Sequence, residues 1–387
     1  MKILHTSDWH LGHTLYNYDR TEEQIAMLLQ MVNIVKENKP DVFLLCGDVY
    51  HTPQPSAAVQ TMFTNALVEI HDANPDMTIV ITAGNHDSST KHDIFRTPWK
   101  ALKVYTIGSI DADRKEDMII DIPGKGYVIA VPYVNERNMP KGLFQELLDI
   151  AKEKNTRNVP VVMMAHTTVR GCDFAGHENG SEYAVGGIDS YYLDDMGTGY
   201  DYLALGHIHH GQFIHSGKHN VRYCGTPIPV SFDENYKHSV SIVEIAEHGK
   251  KPSVTEIEIA PHRPLVTLPT DGFATWENAK KLLEHYPDDI EAYIRLNVAV
   301  DDYLPVEANA EAQLICEAKR CRFCVINSQR LKKNHREAKV MTVQEFKKEE
   351  PIEIAARYAE DLGITFDNDL KELFNETLAA VKDEERM

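Results

Sequence analysis

Five polar clusters carry the residue types that metal chemistry needs. They are Asp8-Trp9-His10, Gly47-Asp48-Val49-Tyr50-His51, Gly84-Asn85-His86-Asp87, the single His166, and Gly206-His207-Ile208-His209. Carboxylate oxygen, amide oxygen and imidazole nitrogen form a donor set suited to manganese, iron or zinc, with no thiolate required. Asp8 and His10 are two apart, so along an extended strand end they point to one side, and the same holds for His207 and His209. Asp48 is a central carboxylate able to bridge two ions. Two ions ~3.5–4 Å apart clamp the attacking and leaving oxygens of an in-line displacement, and water on such an ion ionises near neutral pH. His86 adjoins Asn85, so the two need not face the same ion. A histidine beside a phosphate can protonate the leaving oxygen. Asp87 is placed to orient His86, and His51 is a second candidate near the phosphate.

Each cluster alone has a plainer explanation. A single Asp-x-His is a weak signal, an Asn-His turn can satisfy its own backbone, and a lone His166 reads as a core or loop histidine. The joint occurrence carries the force. Each cluster ends an apolar run, and the carboxyl ends of strands in an open α/β sheet form the crevice where ligands bind.

Those runs are Ile3-Leu4, Val42 to Cys46, Thr78 to Thr82, Tyr127 to Val131, Val161 to Ala165 and Tyr202 to Leu205, all expected as strands. Between them, Thr21 to Asn38 reads as an amphipathic helix. Thr21 and Gln24 fit a capping box, and Ile25, Leu28, Leu29, Val32 and Val35 recur on one face. Pro40 helps stop the helix. Ala57 to Ile70 reads as a second helix. Such alternation predicts an α/β domain. Residues 167 to 200 lack a period and read as a long loop over the site. Pro261, Pro264 and Pro269 mark a boundary. Beyond it, helix Trp276 to Tyr286, strand Glu291 to Val300, helix Ala308 to Lys319 and strand Phe323 to Ser328 suggest a compact α+β unit. Two charged helices with an apolar stripe, Glu353 to Leu362 and Leu370 to Val381, close the chain.

The 387 residues exceed the usual size of one core. A net charge of -19 argues against a large basic nucleic-acid footprint, although bound cations add charge that the count omits. No apolar leader opens the chain and no stretch reaches the ~20 residues of a membrane span. Six cysteines in so long a chain fit a reducing compartment, and the expected location is the cytoplasm.

The ordered set D-x-H, G-D, G-N-H-D, H and G-H-x-H resembles the calcineurin-type metallophosphoesterase superfamily. Within it, Ile3 to Gly12, Gly47 to Pro53 and Tyr223 to Glu234 look like the motifs of the SbcD family of nucleases, relatives of the Mre-type enzymes. The likeness is strong over residues 1 to 260 and looser beyond. It implies a β-sandwich flanked by helices, a small capping domain and a C-terminal helical segment, at 1–262, 263–338 and 339–387. It implies one manganese on Asp8, His10, Asp48 and His209, and another on Asp48, Asn85, His166 and His207, with Asp48 as the bridge. His86 would protonate the leaving group or stabilise the transition state, assisted by His51. The implied activity is double-strand exonuclease and single-strand or hairpin endonuclease. The implied partners are DNA, an SbcC-type coiled-coil ATPase docked by the last helices, and a second copy of the chain, with no membrane.

Other features weigh less. Cys321-Arg322-Phe323-Cys324 lacks the second pair a structural zinc needs and reads as two ordinary cysteines. Lys319, Arg320, Arg322, Arg330, Lys332, Lys333, Arg336 and Lys339 form the most basic stretch, which reads equally as a DNA or partner contact and as a solvated face. Trp9 reads as packing, Met27 and Met31 as core or interface, and His177 as a surface histidine. One rival activity is a small-molecule or cyclic-nucleotide phosphodiesterase, which would not need the C-terminal third. Another is a metal-stabilised scaffold, which would not need His86.

Overall fold

Continuous apolar runs become buried strands because neither face of such a segment can be left to water. The computed structural model describes residues 1–175, 190–214, 219–331, 350–361 and 366–384. In it, strands β1 (Lys2–Thr6), β4 (Val42–Cys46), β5 (Thr78–Thr82) and β6 (Val104–Ile107) lie parallel. They share a six-stranded sheet with antiparallel β13 (Ser239–Glu244) and β14 (Ser253–Glu258), in the order β14-β13-β1-β4-β5-β6. A second six-stranded sheet runs β11-β12-β10-β9-β8-β7. Its members are β7 (Ile119–Ile122), β8 (Gly126–Val131), β9 (Val161–His166), β10 (Tyr202–Gly206), β11 (Gln212–Phe213) and β12 (Val221–Tyr223). A two-stranded ribbon, β2 (Thr14–Leu15) with β3 (Tyr18–Asp19), follows the first cluster.

The two sheets face each other. Ile3, Val42, Leu44, Cys46 and Val80 of the first pack into one core with Val128, Val162, Met164, Leu203 and Leu205 of the second. Each such side chain contributes about 1.5–3 kcal/mol when fully buried. The alternate residues of the first sheet, Leu4, Phe43, Leu45, Ile79 and Ile81, pack against helices α1 (Thr21–Asn38) and α2 (Ala57–Ala73). Helix α3 (Ser89–Phe95) follows the third cluster, and α4 (Leu143–Lys154) covers the second sheet through Leu143, Phe144, Leu147 and Leu148. The sandwich flanked by helices is therefore present.

Helix α1 differs from expectation in two ways. The expected capping box is absent: Asp19 Oδ1 accepts from Thr21 N at 2.9 Å, and Gln24 turns back toward residues 10–13. Ile25 and Leu29 are 44% and 51% exposed, whereas Met27, Leu28, Met31, Val32 and Val35 are buried. The helix has apolar residues on adjoining faces, and periodicity alone does not say which face meets the sheet. Met27 and Met31 are core.

The unit after Pro264 is a three-stranded parallel sheet, β15 (Leu265–Leu268), β16 (Tyr293–Val300) and β17 (Arg322–Arg330), in chain order. Helices α5 (Trp276–Glu284) and α6 (Ala308–Glu317) are its crossovers, and the unit has its own core around Ile294, Leu296, Ala312 and Phe323. It is tied to the sandwich by Tyr18, whose hydroxyl donates to the Phe323 carbonyl at 2.9 Å, and by Arg295, which meets Asp233 at 2.7 Å. Helices α7 (Pro351–Asp361) and α8 (Asn368–Glu384) end the chain, with Tyr358 and Leu373 exposed. Among the described residues, no helix is long and apolar enough to cross a membrane.

Candidate metal centre

Parallel β1, β4 and β5 all end at the same edge of the first sheet, and β9 and β10 end beside them in the second. The loops leaving β1 and β4 stay laced together: Asp8 N donates to Gly47 O at 3.1 Å and His10 N to Asp48 O at 3.0 Å. Asp8, His10 and Asp48 all hold positive φ, at 54°, 44° and 50°. Such backbone is costly for residues with a side chain and tends to gather at functional sites. Two motif glycines have a steric reason. A Cβ on Gly84 would sit 2.0 Å from Asp48 Oδ1, and one on Gly47 would sit 2.1 Å from His166 Nδ1.

All seven expected metal-binding residues converge here. His10 Nε2 lies 3.2 Å from His209 Nε2, and both rings group with Asp8. His166 Nε2 lies 2.9 Å from Asn85 Oδ1, which is also 3.0 Å from His207 Nδ1. Asp48 Oδ2 stands between the two groups, 3.7 Å from His10 Nε2 and 3.4 Å from His166 Nε2. Its other oxygen accepts from the His86 backbone N–H at 2.9 Å.

The family model of the calcineurin-like phosphoesterases matches residues 1–211. The chain belongs to that family. It is 30% identical over 302 residues to the SbcD subunit of the nuclease SbcCD from Rhodobacter capsulatus, across 71% of this chain and 73% of that protein. The corresponding subunit of Bacillus subtilis is 30% identical over 334 residues, 79% of this chain and 81% of that one. That of Escherichia coli K12 is 27% identical over 329 residues, 79% of each. These matches put the chain in the SbcD branch of the calcineurin-like phosphoesterases.

The donors fit the divalent cations that this phosphoesterase family implies. His166 donates Nδ1–H to Cys46 O at 2.8 Å, which fixes the ring and turns Nε2 toward Asp48 and Asn85. His209 Nδ1 is held by Glu234 Oε1 at 3.1 Å, so its Nε2 also turns inward. One Nε2–H of the His10–His209 pair can serve both rings, and a cation between them would serve the same lone pairs. Burial opposes charge on His166, yet the Asp48 and Asp8 carboxylates push its pKa up to about 9. Burial, then His209 and the other nearby imidazoles, hold His10 well below the usual histidine range.

His86 stands beside this centre, its ring 4.9 Å from that of His10. His86 Nδ1 donates to the His51 carbonyl at 2.9 Å, and the two rings stack at 5.6 Å. Asp87 does not orient the His86 ring. Its carboxylate accepts from the backbone of Val49, Tyr50 and Gly84 and meets His92 at 3.5 Å, so it orders the two loops. Burial, then the neighbouring His86, lower the pKa of His51.

Glu234 and His13 belong to this neighbourhood and are not among the expected site residues. The His13 ring lies 4.7 Å from that of His51. Glu234 ends the Tyr223–Glu234 stretch, but no local pattern points it at His209. Trp9 is buried edge-on to Phe43 and Phe63 and donates to Thr6 at 2.9 Å, as packing requires. Cys321 Sγ meets Cys316 Sγ at 3.6 Å, away from Cys324. Among the described residues, no cluster able to hold a metal contains a cysteine. His177 and the middle of the long loop lie outside the described residues, while its ends pair through Arg170 N and Tyr191 O at 2.9 Å.

Proposed function

We propose that this chain is the nuclease subunit of a DNA-processing complex, cutting phosphodiester bonds with two divalent cations, read as Mn2+. One observation carries the reading: six donors from distant parts of the chain meet around a seventh, Asp48, with His86 held beside them. Asp8, His10, Asp48 and His209 would hold one ion, and Asp48, Asn85, His166 and His207 the other. When bound, the cations supply positive charge to the phosphoryl oxygens and lower the pKa of water. The chain's own residues supply the rest. Asp48 keeps one oxygen on the His86 backbone and turns the other to the centre. His86, with Nδ1–H committed to the His51 carbonyl, acts through Nε2 on the leaving oxygen. His51 fixes that ring by stacking and by its carbonyl.

The substrate class follows from the relatives' name, the nuclease SbcCD, and from the added C-terminal third. Double-strand ends, hairpins and single strands would enter under a cap at 263–338, beside a nuclease domain at 1–262. The helices at 339–387 would dock an SbcC-type ATPase through apolar residues such as Tyr358 and Leu373, which are exposed. Exposed Ile25 and Leu29 on α1, with Val68 on α2, suit a homodimer contact. The setting would be the cytoplasm, in DNA repair and recombination.

Metal content by mass spectrometry tests the core of this. The expected result is two Mn2+ per wild-type chain and loss of both from Asp48→Ala. One tightly held ion in both proteins would reject the bridge.

A further inference from the structure

The first turn of α1 touches two places at once. Gln24 is 2% exposed and its amide spans the turn after the first cluster. Gln24 Oε1 accepts from Gly12 N at 3.0 Å, and Nε2 donates to the carbonyls of His10 at 3.4 Å and His13 at 3.5 Å. This turn holds His10 at φ 44°, which is costly for a residue with a side chain. Backbone bonds from His10 N to Asp48 O and from Leu11 N to Val49 O hold one side of it, and the buried Gln24 side chain holds the other.

One residue earlier, and about 100° around the helix, Glu23 meets a different set of partners. It is buried, ion-paired to Arg263 and accepts from the Tyr293 hydroxyl at 2.9 Å. Arg263 is 4% exposed and also meets Glu291 at 2.8 Å. Arg20, at the same helix start, donates to Pro229 O at 2.5 Å and stacks over Tyr293. Tyr293 opens β16, the central strand of the three-stranded unit. A helical turn is stiff, and a buried ion pair resists separation because a lone charge is left without water. Movement of Tyr293 therefore pulls on the turn that carries Gln24.

We propose that Glu23 and Gln24 are positioning residues that couple the seating of the three-stranded unit to the placement of His10. This rests on the reading of His10 as a metal ligand. Substrate that shifts the unit would then tune the metal centre through Gln24, which meets His10 at its backbone carbonyl.

The test is Mn2+ binding to the full chain, read as free Mn2+ by electron paramagnetic resonance, with thermal unfolding measured alongside. Gln24→Met keeps size and charge and removes all three hydrogen bonds. It is expected to weaken Mn2+ binding about 10-fold, as loss of an outer support commonly does. Tyr293→Phe removes one hydroxyl, changes no charge and keeps the packing. It is expected to weaken binding about threefold, within the range found for coupling residues, although it lies outside the centre. The double variant is expected to lose less than the product of the single losses, because both act through one turn. If Tyr293→Phe lowers the melting temperature and leaves Mn2+ affinity at the wild-type value, the link is structural only and the coupling is wrong. Multiplying single losses would also overturn it, and unchanged affinity in Gln24→Met would overturn the role of Gln24. Wild type that binds no Mn2+ overturns the two-metal reading itself.

Discussion

Glu234 Oε1 lies 3.1 Å from His209 Nδ1, and the second oxygen of Glu234 accepts from the Thr226 hydroxyl at 3.2 Å. A carboxylate behind a ligand histidine fixes its tautomer and raises its basicity, and losing it typically costs about 10–100-fold in metal affinity. Glu234→Gln should therefore weaken Mn2+ binding in that range, measured by titration. Unchanged affinity would mean that His209 is not a ligand.

Arg263 joins the sandwich to the three-stranded unit through Glu23 and Glu291. Removing one partner of a buried pair strands the other charge, at a cost of about 3–5 kcal/mol. Arg263→Met should lower stability by that order in urea unfolding, and adding Glu23→Gln should restore part of it. A loss below about 0.5 kcal/mol, as for ordinary surface changes, would show that the pair is not a structural tie.

His5 bridges the two sheets as a neutral ring. Its Nε2 donates to Leu205 O at 3.2 Å and its Nδ1 accepts from the Tyr202 hydroxyl at 3.0 Å. Burial, then nearby Arg222, lower its pKa to about 3 from 6.5. The unfolded chain therefore binds a proton that the folded chain refuses. The stability that His5 allows is complete above pH 6.5 and falls as pH drops toward 3, by at most ~1.4 kcal/mol per pH unit. Urea unfolding at pH 7, 6 and 5 should show a shallower acid loss in His5→Gln than in wild type. Identical slopes would mean that His5 is not the group responsible.

Four described members of the basic stretch are engaged within the chain. Lys319 binds Asp288, Arg320 binds Glu291, Arg322 donates to the Tyr293 hydroxyl at 3.0 Å, and Arg330 donates to Asp302 O at 3.1 Å. Lys332, Lys333, Arg336 and Lys339 lie outside the described residues. Neutralising Lys332 and Lys333 should reduce the slope of DNA affinity against salt by about one for each phosphate left without its cation. An unchanged slope would assign the stretch to a solvated face.

Much of the centre is legible in the sequence because chemistry-bearing residues close apolar runs: Asp8 follows β1, Asp48 follows β4, and His207 follows β10. Parallel strands then bring those ends together without further information. Other features depend on contacts across the chain. Glu234 serves a histidine 25 residues earlier. Gln24 fits a helix cap in sequence but finds the Gly12 N–H at 3.0 Å. The apolar residues of α1 allow two faces, and packing against the first sheet and α2 chooses one. Helix α4 is absent from the expected elements although its signal is legible, since Leu143, Phe144, Leu147, Leu148 and Ala151 repeat at helical spacing and are all buried.

The most direct test is cleavage of a linear duplex and a single-stranded circle by the purified chain with Mn2+, comparing wild type with His86→Ser. The account predicts DNA cutting by wild type and a loss of about 100-fold or more in the variant, the range for a general acid, with metal content unchanged. Wild type that ignores both DNAs, with and without its ATPase partner, yet hydrolyses a small phosphodiester would contradict the nuclease reading.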